Sequence, residues 1–477
     1  MAPLPPPLTI RNLTSTPLEL KVVELYESPD AHKKSWAYSC KKLITWSSAP
    51  PPSAGKLGEH AQHFVHQDVS VRIEPFQSAS VSLAPIQRAP NDLLRLTFEA
   101  DGQRYRIDTP GPTSASQTFT PLVPDPKFEY TGIFFPQSTH LAVLSSAAPQ
   151  RWMRELSDAT PLSGLSIPGT HNTPTYHKAL PSVRCQAVSP REQLDNGVRF
   201  FDIRVQPEHA NDVSKDGLIL VHGVFPVSLT GTKHVRGLLD DARRFLEQNP
   251  SETVIVSLKR EGAGNATDQH LSLILREHYC ADPALWYTSP RIPMLGEVRG
   301  KLVLMRRFVI DESLKREHNG EGWGLDAENW AYNTPDDVHG CVRVQDWCEV
   351  LKPDAIPQKT IYAEAHMARA AECVAPLPGI TTDVVNPVPP NPLYLNFLSG
   401  SNFFNKQCWP ERIAHRLNPH VLEYLCTKHH ATDHHGDGST GIVVLDWVGQ
   451  SGDWDLVRCI VGMNAWLKLK EKGGAWE

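Results

Sequence analysis

The chain opens with neither a basic stretch nor an apolar run; Met1-Ala2-Pro3-Leu4-Pro5-Pro6-Pro7 offers no secretory signal, so none is expected. No apolar run approaches the ~20 residues of a bilayer-spanning helix, and no transmembrane segment is expected. The nine cysteines never fall in C-x-x-C spacing, which argues against a cysteine-built metal site. An odd, scattered set suits reduced thiols in a cytoplasmic protein, with peripheral membrane attachment left open. Excess positive charge is also missing. With 47 Lys+Arg against 53 Asp+Glu the net charge is -6, which excludes a general nucleic-acid binder and leaves room for local basic patches. What the chain has in excess is proline, 41 of 477 residues, against a usual share of ~5%. That excess argues against coiled coils and helical repeats, and for strands joined by loops. The length suggests about two or three domains.

Two textures meet near residue 150. Before it lie short β-type runs with period-two alternation: Leu8-Thr9-Ile10, Leu18 to Val23, Val69 to Ile73 and Leu94 to Phe98. Alternation of this kind marks half-buried antiparallel strands, and residues 1–148 are expected to form a small all-β sandwich. After it, apolar strand-like runs end at Pro168, Asp202, Val221, Leu258, Met305, Gln345, Phe397 and Leu445. Helical candidates lie between them, such as Gly237 to Gln248, stopped by Asn249-Pro250. Eight such runs predict an α/β fold for residues 149–477, a (β/α)8 barrel of TIM type.

Barrel enzymes place their chemistry at the C-terminal ends of strands. Here His171 follows the first run, Asp202 and Arg204 close the second, and His222 ends the third. Lys259 ends the fourth, Arg306 and Arg307 the fifth, Asp346 the sixth and Asp446 the eighth. A single His or Asp at a strand end is usually an ordinary loop residue. Seven of eight strands sharing the habit is not. Two imidazoles suit general base and general acid work near neutral pH, and a guanidinium suits phosphate oxygens. No Ser or Cys nucleophile sits in a recognisable elbow, and no carboxylates cluster for a divalent ion. Phosphodiester cleavage by general acid–base catalysis fits the set, with Arg204 stabilising charge on pentacoordinate phosphorus.

Several segments carry a resemblance: Leu165-Ser166-Ile167-Pro168-Gly169-Thr170-His171-Asn172-Thr173, Gly197 to Arg204, and Leu220-Val221-His222-Gly223. It continues through Glu252 to Glu261, Gly296 to Leu304, Val344-Gln345-Asp346 and Gly441 to Asp446. In that order they resemble the X domain of phosphatidylinositol-specific phospholipases C over about residues 150 to 460. The resemblance implies a distorted TIM barrel, and cleavage of phosphatidylinositol to diacylglycerol and inositol 1,2-cyclic phosphate. It implies His171 as general base oriented by Asp446, and His222 as general acid held by Asp202. Asn172 would donate to the phosphate, while Lys259, Arg307 and Asp346 would meet inositol hydroxyls. The aromatic neighbour expected by Asp346 would be Trp347, since Cys348 stands where the bacterial enzymes place the ring. Calcium-dependent relatives carry carboxylates two apart on the second strand, as hard oxygen ligands. Arg204 occupies the second of those positions, so the resemblance is to the bacterial, metal-independent branch, with no cofactor and no site metal. The expected partner is phosphatidylinositol or a related phospholipid at a membrane surface. The alternatives are another head group, such as a glycosylated inositol lipid, or a silent lipid-binding pseudoenzyme.

Two further tracts stand out. His429 to Asp437 is read as a hydrophilic surface loop in preference to a metal loop. Lys33, Lys34, Trp36, Tyr38, Lys41, Lys42 and Trp46 mix charge and rings as a membrane interface does, although strand packing is the plainer reading.

Overall fold

Residues 7–27, 57, 61–83, 92–111, 114–430 and 436–471 are described by the computed structural model of the protein. The Lys33 to Trp46 tract and Ala431 to His435 lie outside them. The chain divides into two units, Met1–Ser146 with Cys426–Ala431, and Ala147–Leu425 with Thr432–Glu477.

Among the described residues of Met1–Ser146 the regular elements are β-strands. One sheet runs in the order Ser78–Val81, Leu8–Leu13, His140–Ser145, Tyr130–Phe135, Ser116–Thr118; the other runs His63–Ile73, Leu18–Tyr26, Leu93–Ala100, Gln103–Thr109, Thr120–Pro121. Leu8, Ile10, Leu141 and Val143 of the first share a buried core with Leu20, Leu94, Leu96 and Phe98 of the second, which makes a sandwich. Alternation anticipated these strands. It did not anticipate that Leu8–Leu13 pairs parallel with His140–Ser145.

In the second unit the strands are β1 Ile167–Thr170, β2 Phe200–Pro207, β3 Leu218–His222, β4 Val254–Arg260, β5 Leu302–Arg307, β6 Val342–Gln345, β7 Leu393–Phe397 and β8 Ile442–Leu445. Parallel pairing runs β5-β4-β2-β1-β8-β7-β6. Between β5 and β6 the wall is carried by Leu325–Asp326, parallel to β5. Its Asp326 carbonyl accepts the Cys341 N–H at 3.1 Å. The sheet is therefore a curled, distorted barrel. One expected wall strand is corrected: β3 runs antiparallel to β2. Only residues 208–217 connect the two, and a parallel crossover needs about a dozen residues or more.

Alternation along each strand sorts side chains into two cores. Phe201, Ile203, Val256, Leu258, Leu302 and Leu304 pack with Leu238, Leu239, Phe245 and Leu246 of the helix Val235–Gln248, and with Leu271, Ile274 and Leu275 of the helix Asp268–His278. Ile167, Phe200, Ile255, Val303, Met305, Val342, Val344, Leu395, Phe397, Ile442 and Val444 form the other core, inside the barrel. Gly169 is required there, because a Cβ would stand 2.8 Å from the Phe200 ring. Period two then dictates the site. Residues 200, 202 and 204, or 303, 305 and 307, point the same way, so Asp202, Arg204, Arg307 and Lys259 face inward with the lining while Arg306 faces out.

His429 is buried, and its carbonyl accepts from Arg11. The start of the histidine tract is thus not the surface loop expected of it.

Candidate active site

Three adjacent parallel strands set Arg204, Lys259 and Arg307 in one register row. Three cations side by side require counter-charge, and two carboxylates supply it. Arg204 Nη1 donates to Glu261 Oε1 at 3.0 Å and Nη2 to Asp202 Oδ2 at 3.3 Å. Lys259 Nζ donates to the same Glu261 oxygen at 2.9 Å, and Arg307 Nη1 to Asp202 Oδ1 at 3.2 Å. Burial opposes ionisation of Asp202, but Arg204, Arg307 and His171 outweigh it and hold the carboxyl far below its usual range. Burial likewise opposes ionisation of Glu261, and Arg204 with Lys259 brings it down to about 2.

His171 stands against this row. Its Nδ1 donates to Asp446 Oδ1 at 2.8 Å. Its Nε2 accepts from Arg204 Nη2 at 3.0 Å and from Asn172 Nδ2 at 3.0 Å. Only a neutral ring with the proton on Nδ1 has a lone pair to receive those two donors. Burial disfavours the imidazolium, yet Asp446 and Cys185 together raise the group above the ordinary histidine range. His222 lies across from it, ring centroids 6.1 Å apart and nearly perpendicular at 86°.

The structure gives His222 a different partner from the one expected. Its Nδ1 donates to the Val183 carbonyl at 2.7 Å, while Asp202 is committed to Arg204, Arg307 and the Asn172 N–H. The cause is the antiparallel turn of β3, which delivers His222 from a hairpin and not from the neighbouring wall strand. Trp347 is corrected too: its ring packs edge-on against Tyr362 at 5.5 Å. Trp330 takes the place by Asp346, donating from Nε1 to Asp346 Oδ2 at 3.1 Å, and the Arg307 guanidinium lies 4.0 Å from its ring centroid. Arg306 turns away to Glu328 and the Trp323 carbonyl.

Residues missed by the sequence reading are Glu261, Trp330, Gln186 and Cys185. Gln186 Nε2 donates to the carbonyls of His171 at 2.7 Å and Leu445 at 2.9 Å, stitching β1 to β8 at the site. The Cys185 thiol lies 3.9 Å from His222 Nδ1 and accepts from Asn172 Nδ2 at 3.8 Å. Burial and Asp446 push this thiol up, and the His171 and His222 imidazoles pull it below its usual value. Each of His171, Cys185 and Asp446 offers a ligand atom to one point, within 4.8 Å of one another. A mixed imidazole, thiol and carboxylate set does not match the all-oxygen shell of Ca²⁺. The carboxylates of the cation row, Asp202 and Glu261, already serve arginine and lysine.

The backbone turns sharply just after the key residues. Asn172, Gly223 and Trp447 follow His171, His222 and Asp446 in sequence, and all three adopt left-handed φ of 44°, 57° and 54°. Asn and Gly enter that region at low cost, whereas for a bulky ring it is a strained outlier. Trp447 is held there by its N–H on the Cys185 carbonyl at 2.7 Å and by Arg184 over its ring at 4.9 Å.

Residues 159–308 match the family model described as phosphatidylinositol-specific phospholipase C, X domain. The 1-phosphatidylinositol phosphodiesterase of Listeria monocytogenes is 35% identical over 173 residues, 34% of this chain and 50% of that protein. The chain thus spans half of that relative. The protein of the same name from Staphylococcus aureus is 26% identical over 347 residues, 69% of this chain and 98% of its own length. A solved structure of a variant of the Staphylococcus aureus phosphatidylinositol-specific phospholipase C is similar in fold, with a TM-score of 0.51 at 25% identity, over 66% of this chain and 96% of that one.

Proposed function

Because this chain belongs to the phosphatidylinositol-specific phospholipase C family, we propose that it cleaves phosphatidylinositol to diacylglycerol and inositol 1,2-cyclic phosphate without a metal ion. The observation that carries this reading is the chain Asp446–His171–Arg204, at 2.8 and 3.0 Å, facing His222.

His171 Nε2 takes the proton of the inositol 2-hydroxyl, and the freed oxygen attacks phosphorus. Arg204, now donating to a phosphate oxygen in place of Nε2, opposes the charge that builds there. The bond from phosphorus to the glycerol oxygen breaks, and His222 supplies the proton that oxygen needs. The Val183 carbonyl accepts from Nδ1–H and orients the His222 ring, so the proton handed to the glycerol oxygen is a second one, carried on Nε2. Arg204 takes the electrostatic part a calcium ion would play, which supports metal independence.

Contact with a lipid surface is supported by rings near the strand ends. Phe225, three residues past His222, stacks on Phe403 at 5.4 Å and 8°, and Phe404 beside it is 94% exposed. No helix among the described residues is long and apolar enough to cross a membrane. The eight cysteines among them are free thiols, which supports placement in the reducing cytoplasm, peripheral to a membrane. The testing experiment is turnover of phosphatidylinositol vesicles by the wild type and by His171→Ala. Cyclic phosphate from the first alone supports the reading, and equal release from both overturns it.

A further inference from the structure

In the first unit, Leu18–Tyr26 and His63–Ile73 pair antiparallel, with Glu24 directly opposite His66. Residues three apart on a regular strand face opposite sides of the sheet, so the pattern His63-Phe64-Val65-His66 would ordinarily divide its imidazoles. Here the register shifts between Leu25 and Tyr26, Phe64 is the extra residue, and Tyr26 pairs with His63. The bulge turns His63 back onto the face of His66, while Val65 points into the core.

The result is a convergent set. Glu24 Oε1 stands 3.5 Å from His63 Nδ1 and 3.6 Å from His66 Nδ1. Those separations exceed the ~2.7–3.2 Å of a good hydrogen bond. They match donor atoms around a tetrahedral ion, which stand roughly 3.4 Å apart when each arm is about 2.0–2.1 Å. One donor atom from each of the three residues lies within 4.8 Å of the others. The outer contacts have the right character as well. His66 Nε2 donates to Asp68 Oδ1 at 3.3 Å, the carboxylate backing that orients a ligating imidazole. The Tyr26 hydroxyl donates to Glu24 Oε1 at 3.3 Å. The side chains of His63 and His66 are 45% and 43% exposed, which leaves an entry path and an open coordination position for water.

We propose that Glu24, His63 and His66 form a transition-metal site of the Zn²⁺ class on the N-terminal β unit, separate from the phosphodiesterase residues. Two imidazoles and one carboxylate suit Zn²⁺, and Co²⁺ or Ni²⁺ as its surrogates, over Ca²⁺ or Mg²⁺. The ion clips two strands whose connection runs from residue 27 to 62, and it stabilises the folded unit by binding it alone.

The test titrates Zn²⁺ into the full chain against a chromogenic chelator, alongside the double variant His63→Ala/His66→Ala and the single variant Asp68→Asn. Other thiols and histidines of the chain bind in both proteins, so the readout is the difference. The expected result is one equivalent fewer in the double variant, and that equivalent weakened about tenfold in Asp68→Asn. Co²⁺ is expected to give a tetrahedral visible band that the double variant lacks. Identical stoichiometry, affinity and Co²⁺ spectrum in wild type and double variant overturn the site. Circular dichroism checks the fold, and His66→Gln, which keeps size and polarity, gives the same comparison if the double variant is not folded.

Discussion

His171 is held from two sides by groups with opposite demands on its charge. The Asp446 carboxylate at Nδ1 favours the imidazolium, while donors from Arg204 and Asn172 at Nε2 need the neutral ring. A general base works only when deprotonated, so the acid limb of the kcat/KM profile reports its titration. Asp446→Asn removes the charge that raises His171. The acid limb is expected to move to lower pH, with kcat reduced because the ring loses its fixed tautomer; a pH–rate series on both proteins checks it. His222→Ala is expected to lower kcat by about 10²–10⁴-fold while vesicle binding is retained. These two histidines were legible in the sequence because strand ends advertise them. Cys185, Glu261 and Trp330 were not: they come from loops or lie just past a strand, where no periodic pattern announces direction. Asp202 was expected beside His222 and instead meets Arg204 and Arg307, because strand parity fixes the face but not which neighbour reaches it.

At the scale of elements, parity accounts for most of the site. Inward positions on β2, β4 and β5 make the cation row, and the same parity lines the barrel below with Phe200, Ile255, Val303 and Met305. Near-continuous apolar runs made seven wall strands readable. β3 was misplaced because an apolar run does not reveal its pairing partner; the short 208–217 connection was the available signal. The N-terminal end of β2 is tied down by a buried pair. Arg199 donates to Glu252 Oε2 from Nε at 3.0 Å and Nη2 at 2.9 Å, and from Nη1 to the Leu194 and Val198 carbonyls at 2.8 Å each. Both side chains are fully buried. Glu252→Ala leaves the guanidinium buried without its counter-ion and is expected to cost about 3–5 kcal/mol, read from the denaturant midpoint. An unchanged midpoint would show that the pair contributes nothing to stability.

For the whole molecule, a net charge of -6 gives no global attraction to anionic lipid. In the proposed function, attachment falls to exposed rings such as Phe403 and Phe404. Phe404→Ala is expected to reduce partitioning onto phosphatidylinositol vesicles about tenfold or more, as one buried ring is worth. Partitioning of the wild type is expected to change little between low and high salt, measured by vesicle sedimentation. The most direct measurement of the central claim is ³¹P NMR of phosphatidylinositol vesicles incubated with the enzyme in excess EDTA. The expected spectrum shows inositol 1,2-cyclic phosphate growing in with wild type and absent with His222→Ala. No cyclic phosphate until Ca²⁺ is restored, or equal turnover by the two proteins, would contradict metal-independent catalysis by the His171–His222 pair.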